Sequence, residues 1–159
     1  EPLSRSEHLT EIALESVVRG LLSYTGDTFL GSGDQVRFDL DIHNGHMDLD
    51  HAVPCALIIG ELVSNALKYA FPNRPKKGTI TVAIDETNTS EGAPAEEGFR
   101  TRLVVRDDGI GMNDPESSLA KPGMGLQLVS ALVEQLNGRL SITGGGEGGD
   151  GGTAVTIEF

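Results

Sequence analysis

The chain has 159 residues, of which 38% are hydrophobic and 23% charged, which is the composition of one globular domain, residues 1–159. Twelve Lys and Arg against 24 Asp and Glu give a net charge of −12, so we expect no nucleic-acid partner. The single cysteine, Cys55, excludes an internal disulfide and a cysteine-based zinc site. No apolar run approaches the roughly 20 residues of a membrane span, and Glu1 in place of Met indicates a piece of a longer protein.

The first half of the chain predicts helix, strand, helix. Apolar residues at helical spacing predict a helix over 7–24, ended by Gly26. Residues 35–43 alternate strictly between apolar and polar, which predicts a half-buried strand. Asp50 is the expected N-cap of a long helix over about 51–70.

The middle of the chain predicts two more strands. Gly78 opens one alternating strand, and residues 99–106 form the other. The polar, acidic segment 86–98 between them predicts a solvated loop.

The C-terminal third predicts a helix followed by a hairpin. The helix covers roughly 125–136 and is stopped by Asn137 and Gly138. Strands 139–143 and 153–159 flank a segment, 144–152, that holds seven of the 21 glycines. Five strands and three amphipathic helices predict an α/β two-layer sandwich, with a mixed sheet and helices on one face.

Three polar residues share a stripe of the long helix. Glu61, Asn65 and Lys68 are spaced four and three apart, so they project from one face and could hold a cation and a phosphate together. The alternative is a solvated face with a Glu–Lys pair. The core-directed face is assigned to Leu57, Ile58, Leu62 and Ala66.

Two glycine pairs follow the stripe along the chain. Asp107, Gly109 and Gly111 come directly after a strand, where glycines let the backbone approach a flat ligand; the alternative is an ordinary Asp-Gly turn. Gly123 and Gly125 run into a helix, whose free amides suit a phosphate; the alternative is a simple glycine cap.

In combination these motifs resemble the gyrase/Hsp90/histidine-kinase/MutL (GHKL) ATPase superfamily and its Bergerat fold. Glu61 to Asn65 corresponds to the N box, Asp107-x-Gly109-x-Gly111 to the G1 box, and Gly123-x-Gly125 to the G2 box, with Gly152-Thr153 as the final box. The similarity covers about residues 35–159. The segments ELVSNALKYAF and GMGLQLVSALVEQLNGRLSI resemble the catalytic ATP-binding domain of a sensor histidine kinase. The short stretch after Gly111 lacks Phe, as in the HisKA_2 subgroup.

The resemblance implies a Mg-ATP site and a phosphoryl-transfer reaction. Asn65 would bind Mg²⁺, Glu61 would hold the metal's water shell or deprotonate the nucleophile, and Lys68 with Tyr69 would meet the phosphates. Asp107 would accept from the adenine amine, with Thr153 in support. The remaining nucleotide contacts would come from Gly109, Gly111, Met112, Gly123, Met124, Gly125 and Leu126.

The same resemblance implies partners beyond this chain. The acceptor histidine would lie on a separate dimerisation domain, to which residues 1–30 could lead, in a cytoplasmic, homodimeric parent that signals to a response regulator receiver domain. None of His8, His43, His46 and His51 has the acceptor context, so the fragment alone should not autophosphorylate.

Two other interpretations of the chain stay open. One is an anti-sigma-factor type of serine kinase, which shares the Glu-x-x-x-Asn-Ala-x-Lys pattern; the other is a non-catalytic nucleotide-binding module. Several residues receive structural interpretations: His43 and His46 as a turn, His51 as a first-turn residue, Cys55 as a buried small residue, and Arg74, Lys76 and Lys77 as a solvated turn.

Overall fold

The computed structural model describes residues 2–43, 47–86, 100–111, 124–144 and 151–159. Side chains are described from residue 14 onward in the first of these segments, and from residue 126 onward in the fourth. In chain order, the elements of these segments are α1 (Pro2–Phe29), β1 (Gln35–Ile42), α2 (Leu49–Tyr69), β2 (Lys77–Glu86), β3 (Thr101–Asp107), α3 (Met124–Gln135), β4 (Arg139–Gly144) and β5 (Thr153–Glu158). The order predicted from hydrophobic periodicity is therefore confirmed.

The five strands form one mixed sheet in the order β1-β2-β3-β5-β4. β1 and β2 are parallel, and the other neighbouring pairs are antiparallel. The antiparallel pairing of β4 with β5 confirms the predicted hairpin, although residues 145–150 of its glycine-rich segment lie outside the described residues, as does loop 87–99.

One face of the sheet carries the helices, which confirms the predicted two-layer sandwich. α1 contacts β1, α2 contacts β2 and β3, and α3 contacts β4, while α2 packs between the other two helices. The strands bury alternate residues against this layer and leave the intervening ones, such as Arg102 and Arg106, exposed. The centre of the core consists of Ile58, Ile59, Leu67, Ile80, Val82, Ile84, Leu103 and Ile157. Cys55 is buried, as predicted.

The first helix is longer at both ends than predicted, and it begins at Pro2 rather than at residue 7. Gly26 does not end α1, which continues to Phe29. A Cβ at position 26 would lie 3.3 Å from the ring of Phe38, so the missing side chain lets the helix lie close to β1. Glycine inside a helix costs only about 1 kcal/mol, and this packing outweighs its tendency to stop the helix.

The start of the second helix corrects the predicted N-cap. Asp48, not Asp50, is the N-cap of α2: its carboxylate accepts the amide of His51 at 3.1 Å. The His51 ring lies 2.6 Å from the same oxygen and stacks on Phe159. α2 is long and apolar enough to cross a membrane, but 56% of its apolar stretch is buried, as in the core helix of a globular domain.

Candidate functional site

The polar stripe of α2 lies on the flank of the helix that faces away from the core. Glu61 and Asn65 are half-buried, and Lys68 and Tyr69 are exposed. Leu57, assigned to the core from its spacing, is 51% exposed. It belongs to this flank because Leu57, Glu61 and Lys68 share one stripe at helical periodicity. Ile58, Leu62 and Ala66 are buried, as predicted.

Asp107 ends β3 and lies beside Thr153, its registered partner on β5. Its carboxylate accepts the amide of Gly109 at 2.9 Å and is also hydrogen-bonded by the backbone of Thr153. Burial raises the pKa of Asp107, and the negative charge of Asp108 raises it further, while the two backbone hydrogen bonds act in the opposite direction. The result is a half-buried carboxylate held in place by backbone amides.

The turn after Asp107 docks on the C-terminal end of α2. The amide of Ile110 donates to the carbonyl of Ala70 at 3.0 Å. A Cβ at Gly109 would overlap that same carbonyl, so only glycine allows the approach. A Cβ at Gly152, whose φ is 121°, would likewise overlap the carbonyl of Asp107. The structure thus brings Asp107, Gly109 and Thr153 together, beside the helix that carries Asn65.

A neighbouring residue, Asp108, ties the same turn to the sheet. Its carboxylate accepts the amide of Thr79 at 2.7 Å, and its own amide donates to the carbonyl of Thr79 at 3.2 Å. A Cβ at Gly78 would overlap both the ring of Phe71 and the carboxylate of Asp108. The sequence interpretation gave Asp108 no role, because its partner lies 29 residues away and no local pattern links the two.

Lys68 is held by an aromatic ring. Its ammonium lies 5.3 Å from the ring centroid of Phe29, at the end of α1, which is the geometry of a cation–π contact. Phe29 is a second residue that the sequence interpretation missed. The contact shows that the side chain of Lys68 leans toward α1 in this structure.

The remaining predicted site residues are only partly described. Gly111 has a φ of 79°, a left-handed conformation that favours glycine. Met112 and Gly123 lie outside the described residues. Met124 and Gly125 begin α3, which confirms a helix start at this motif, and Leu126 is buried in the core.

The two histidines whose side chains the structure describes, His43 and His51, are paired with nearby acids. His43 lies 2.6 Å from Asp41, just after β1, whereas His46 lies outside the described residues. Within the described part of the chain, no group of three His, Cys, Asp or Glu side chains could hold a metal. Burial raises the pKa of the Cys55 thiol to about 12, so Cys55 is not a reactive thiolate.

The geometry suits a planar base with an exocyclic amine and a polyanionic tail. Asp107 offers an acceptor that the amide of Gly109 holds in place, and Gly109 and Gly152 allow the close backbone contacts that fix the turn around it. The oxygens of Glu61 and Asn65 are hard ligands of the kind Mg²⁺ prefers, and two such side chains with several waters are enough for that ion. The residues therefore fit a magnesium nucleotide.

Comparison with known proteins identifies the family. Residues 50–159 match the model of the histidine kinase-, DNA gyrase B-, and HSP90-like ATPases. Sensor histidine kinase PdtaS of Mycobacterium tuberculosis is 30% identical over 135 residues, which is 83% of this chain. The chain spans 24% of the length of that relative.

Solved structures share the fold. The histidine kinase domain of the Erythrobacter litoralis blue-light activated kinase EL346 superposes with a TM-score of 0.70 at 20% identity, over 94% of this chain and 60% of that one. Acinetobacter baumannii histidine kinase AdeS gives 0.67 at 19% identity, over 99% and 75%. The architecture is thus that of histidine kinase catalytic domains, and the chain belongs to the histidine kinase-, DNA gyrase B-, and HSP90-like ATPase family.

Proposed function

We propose that this chain is the ATP-binding catalytic domain of a sensor histidine kinase, which transfers the γ-phosphoryl group of ATP to a histidine on a separate helical domain. The observation that carries the proposal is the docking of the Asp107 turn on the end of α2, the helix that also carries Glu61 and Asn65. The family match and the histidine-kinase names of the relatives support the same function.

The adenine side of the site is built around Asp107. Its carboxylate accepts a hydrogen bond from the exocyclic amine, and the amide of Gly109 holds one of its oxygens at a fixed position. Thr153 supports the carboxylate from the next strand, and Gly109, Gly111 and Met112 supply further contacts to the nucleotide, as the family resemblance implies.

The phosphate side of the site is built from α2 and the start of α3. Asn65 and Glu61 hold Mg²⁺ and its waters, and Lys68 and Tyr69 contact the phosphates. The backbone amides of Gly123, Met124, Gly125 and Leu126 receive the β- and γ-phosphates at the positive end of α3. When bound, Mg²⁺ neutralises charge that develops on the phosphate oxygens. Lys68 leaves the ring of Phe29 to make its contact.

The reaction is an in-line displacement at the γ-phosphorus. A ring nitrogen of the acceptor histidine forms a bond to phosphorus, and the bond from phosphorus to the β,γ-bridging oxygen breaks, which releases ADP. The proton on the other ring nitrogen passes to Glu61 or to water. Positioning and charge stabilisation by this chain supply most of the rate enhancement.

The acceptor is a histidine on another segment. His51, at the start of α2, lies 14 residues before Asn65, which is about 21 Å along the helix axis. That separation is too long for transfer within the chain. By the family resemblance, the parent is a homodimer, soluble or membrane-anchored, whose cytoplasmic dimerisation domain presents the histidine and whose phosphoryl group passes on to a response regulator receiver domain.

The test is phosphoryl transfer from radiolabelled ATP with Mg²⁺ to a separately produced histidine-bearing helical domain. We expect an acid-labile, base-stable phosphohistidine, and we expect Asn65→Asp to abolish it without unfolding the chain. Asn73→Asp, an exposed change of the same kind in the turn after α2, is the matched control and should transfer normally.

Two outcomes would overturn the assignment. Transfer by the Asn65→Asp variant at the wild-type rate would remove Asn65 from the site. Labelling of a serine on an anti-anti-sigma-like protein, with no label on histidine, would assign the chain to the serine kinases of the same superfamily.

A further inference from the structure

Lys76 is a buried cation that the proposed mechanism does not use. The sequence interpretation of Arg74, Lys76 and Lys77 as a solvated turn is wrong for this residue, which is only 7% exposed, whereas Arg74 and Lys77 are exposed. Its ammonium donates to the carbonyl oxygen of Leu67. A buried ammonium is costly unless it is paired, so this contact needs a reason.

Leu67 lies in the last turn of α2, where carbonyl groups lack partners inside the helix. The helical ladder ends with Ala70 donating to Ala66 at 2.9 Å, so the carbonyl of Leu67 is one of the four left over at a helix C-terminus. The ammonium of Lys76 satisfies this carbonyl and complements the negative end of the helix dipole. Lys76 therefore caps α2 from the core side.

The cap is itself anchored by Asp34, whose side chain is 1% exposed. Its carboxylate accepts the backbone amides of Gly31 at 2.8 Å and Lys76 at 2.7 Å, and the guanidinium of Arg74 at 3.2 Å. The hydrogen bonds from Gly31 and then Lys76, followed by the charges of Arg74 and Lys76, lower the pKa of Asp34. The carboxylate thus stays ionised and ties the segment after α2 to the start of β1.

The last turn of α2 is consequently held on two sides. Lys76 binds the carbonyl of Leu67, and Ile110, on the Asp107 turn, binds the carbonyl of Ala70. Asn65, Lys68 and Tyr69 project from this same stretch of helix. We propose that Lys76, anchored by Asp34, is a positioning residue that fixes the metal- and phosphate-binding side chains of α2 relative to Asp107. This inference rests on the proposed function.

The test compares Lys76→Met with the wild type at a temperature where both are folded. Met keeps the length of the side chain and removes the donor and the charge. We expect the Kd for a non-hydrolysable Mg-ATP analogue to rise about tenfold, since misplacing α2 disturbs metal and phosphate contacts. The Kd for adenosine, which needs only the Asp107 turn, should change less than about twofold.

Two control variants separate positioning from stability. Lys77→Met removes the exposed neighbouring ammonium and should leave both affinities unchanged. Val18→Ala, a fully buried change in α1, lowers the melting temperature without touching the cap, and should also leave both affinities unchanged in the folded chain.

The possible results are distinct. If Lys76→Met melts at a lower temperature yet binds both ligands like the wild type, the positioning role is overturned and Lys76 is a structural cap only. If the wild type itself does not bind the nucleotide analogue, the proposed function fails and this inference with it.

If Lys76→Met does not fold, Asp34→Asn is tested in its place, because this variant keeps an acceptor but removes the charge. A selective loss of nucleotide affinity in Asp34→Asn supports the inference, and unchanged affinity overturns it.

Discussion

The amide of Ile110 donates a 3.0 Å hydrogen bond to the carbonyl of Ala70, and this bond joins the end of α2 to the turn that follows Asp107. The two halves of the proposed nucleotide site come from segments about 40 residues apart. Gly109 makes the bond possible, because any side chain there would overlap the carbonyl it approaches. In the proposed site, the geometry of this junction determines how the base-binding turn and the phosphate-binding helix are set relative to one another.

Gly109→Ala should break that junction. The added Cβ would overlap the carbonyl of Ala70, so we expect the free energy of unfolding to fall by at least about 2 kcal/mol and nucleotide binding to weaken. Gly20→Ala is the matched control: it meets nothing within 4 Å on an exposed part of α1 and should stabilise by about 0.5–1 kcal/mol. Urea denaturation measures the free energy of unfolding of both variants. If Gly109→Ala and Gly20→Ala change it by the same amount, the close contact between Gly109 and the carbonyl of Ala70 is contradicted.

Asp107→Asn should not lower stability near neutral pH. Burial raises the pKa of Asp107 on folding, so its contribution to stability is fully present below the ordinary value of 3.8 and is lost as pH rises through the raised pKa. Asn cannot ionise and still accepts from Gly109, so the variant should be within about 1 kcal/mol of the wild type, or more stable, at pH 7. Unfolding at pH 4 and 7 should show the difference moving in favour of the variant at higher pH; movement the other way would mean that the carboxylate is not buried.

Asp48→Ala should cost about 1 kcal/mol of stability, because it removes the N-cap of α2. Asp50→Ala removes an acid in the first turn and should cost less than half as much. The pKa of Asp48 is lowered, chiefly by the hydrogen bond from the His51 side chain. The ionised carboxylate therefore contributes to folding stability above pH 3.8, and this contribution is lost as the pH falls through the lowered pKa of the folded state. Thermal melts of both variants at pH 7 and 3 test this ranking, and a larger loss for Asp50→Ala would contradict it.

Asn137 is the left-handed residue that ends α3, with φ of 54°. Gly138 donates to Val133 and Asn137 to Glu134, both at 2.9 Å, which is the hydrogen-bond pattern of a Schellman motif. Asn137→Ala should therefore destabilise by about 1 kcal/mol, whereas Asn137→Gly should be neutral or stabilising. The melting temperatures of the Asn137→Ala and Asn137→Gly variants test this prediction. A higher melting temperature for Asn137→Ala than for the wild type would show that residue 137 is not left-handed.

Features that depend on local periodicity were predictable from the sequence. The alternation in β1 and the Asn137–Gly138 stop of α3 both follow from interactions within a few residues. The Asp107 motif could also be found, because glycine spacing after a strand has a local physical meaning.

Features that depend on distant partners were not predictable in this way. Nothing near Lys76 indicates burial, since its ammonium needs the carbonyl of Leu67 and its amide needs Asp34, 42 residues earlier. Gly26 stays helical because of a contact with Phe38 on β1. Spacing alone also placed Leu57 in the core, although the flank on which it lies is not covered by another element of the described chain.

Calorimetric titration of a non-hydrolysable Mg-ATP analogue into the wild type and into Asp107→Asn tests the central claim most directly. We predict binding to one site in the wild type and a loss of at least about tenfold in affinity in the folded variant. The single amide oxygen of Asn is taken by the amide of Gly109, and the NH2 group that replaces the second oxygen cannot accept from the adenine amine. No binding by the wild type, or binding of equal strength by both proteins, would contradict the assignment of Asp107 and of the ATP site built around it.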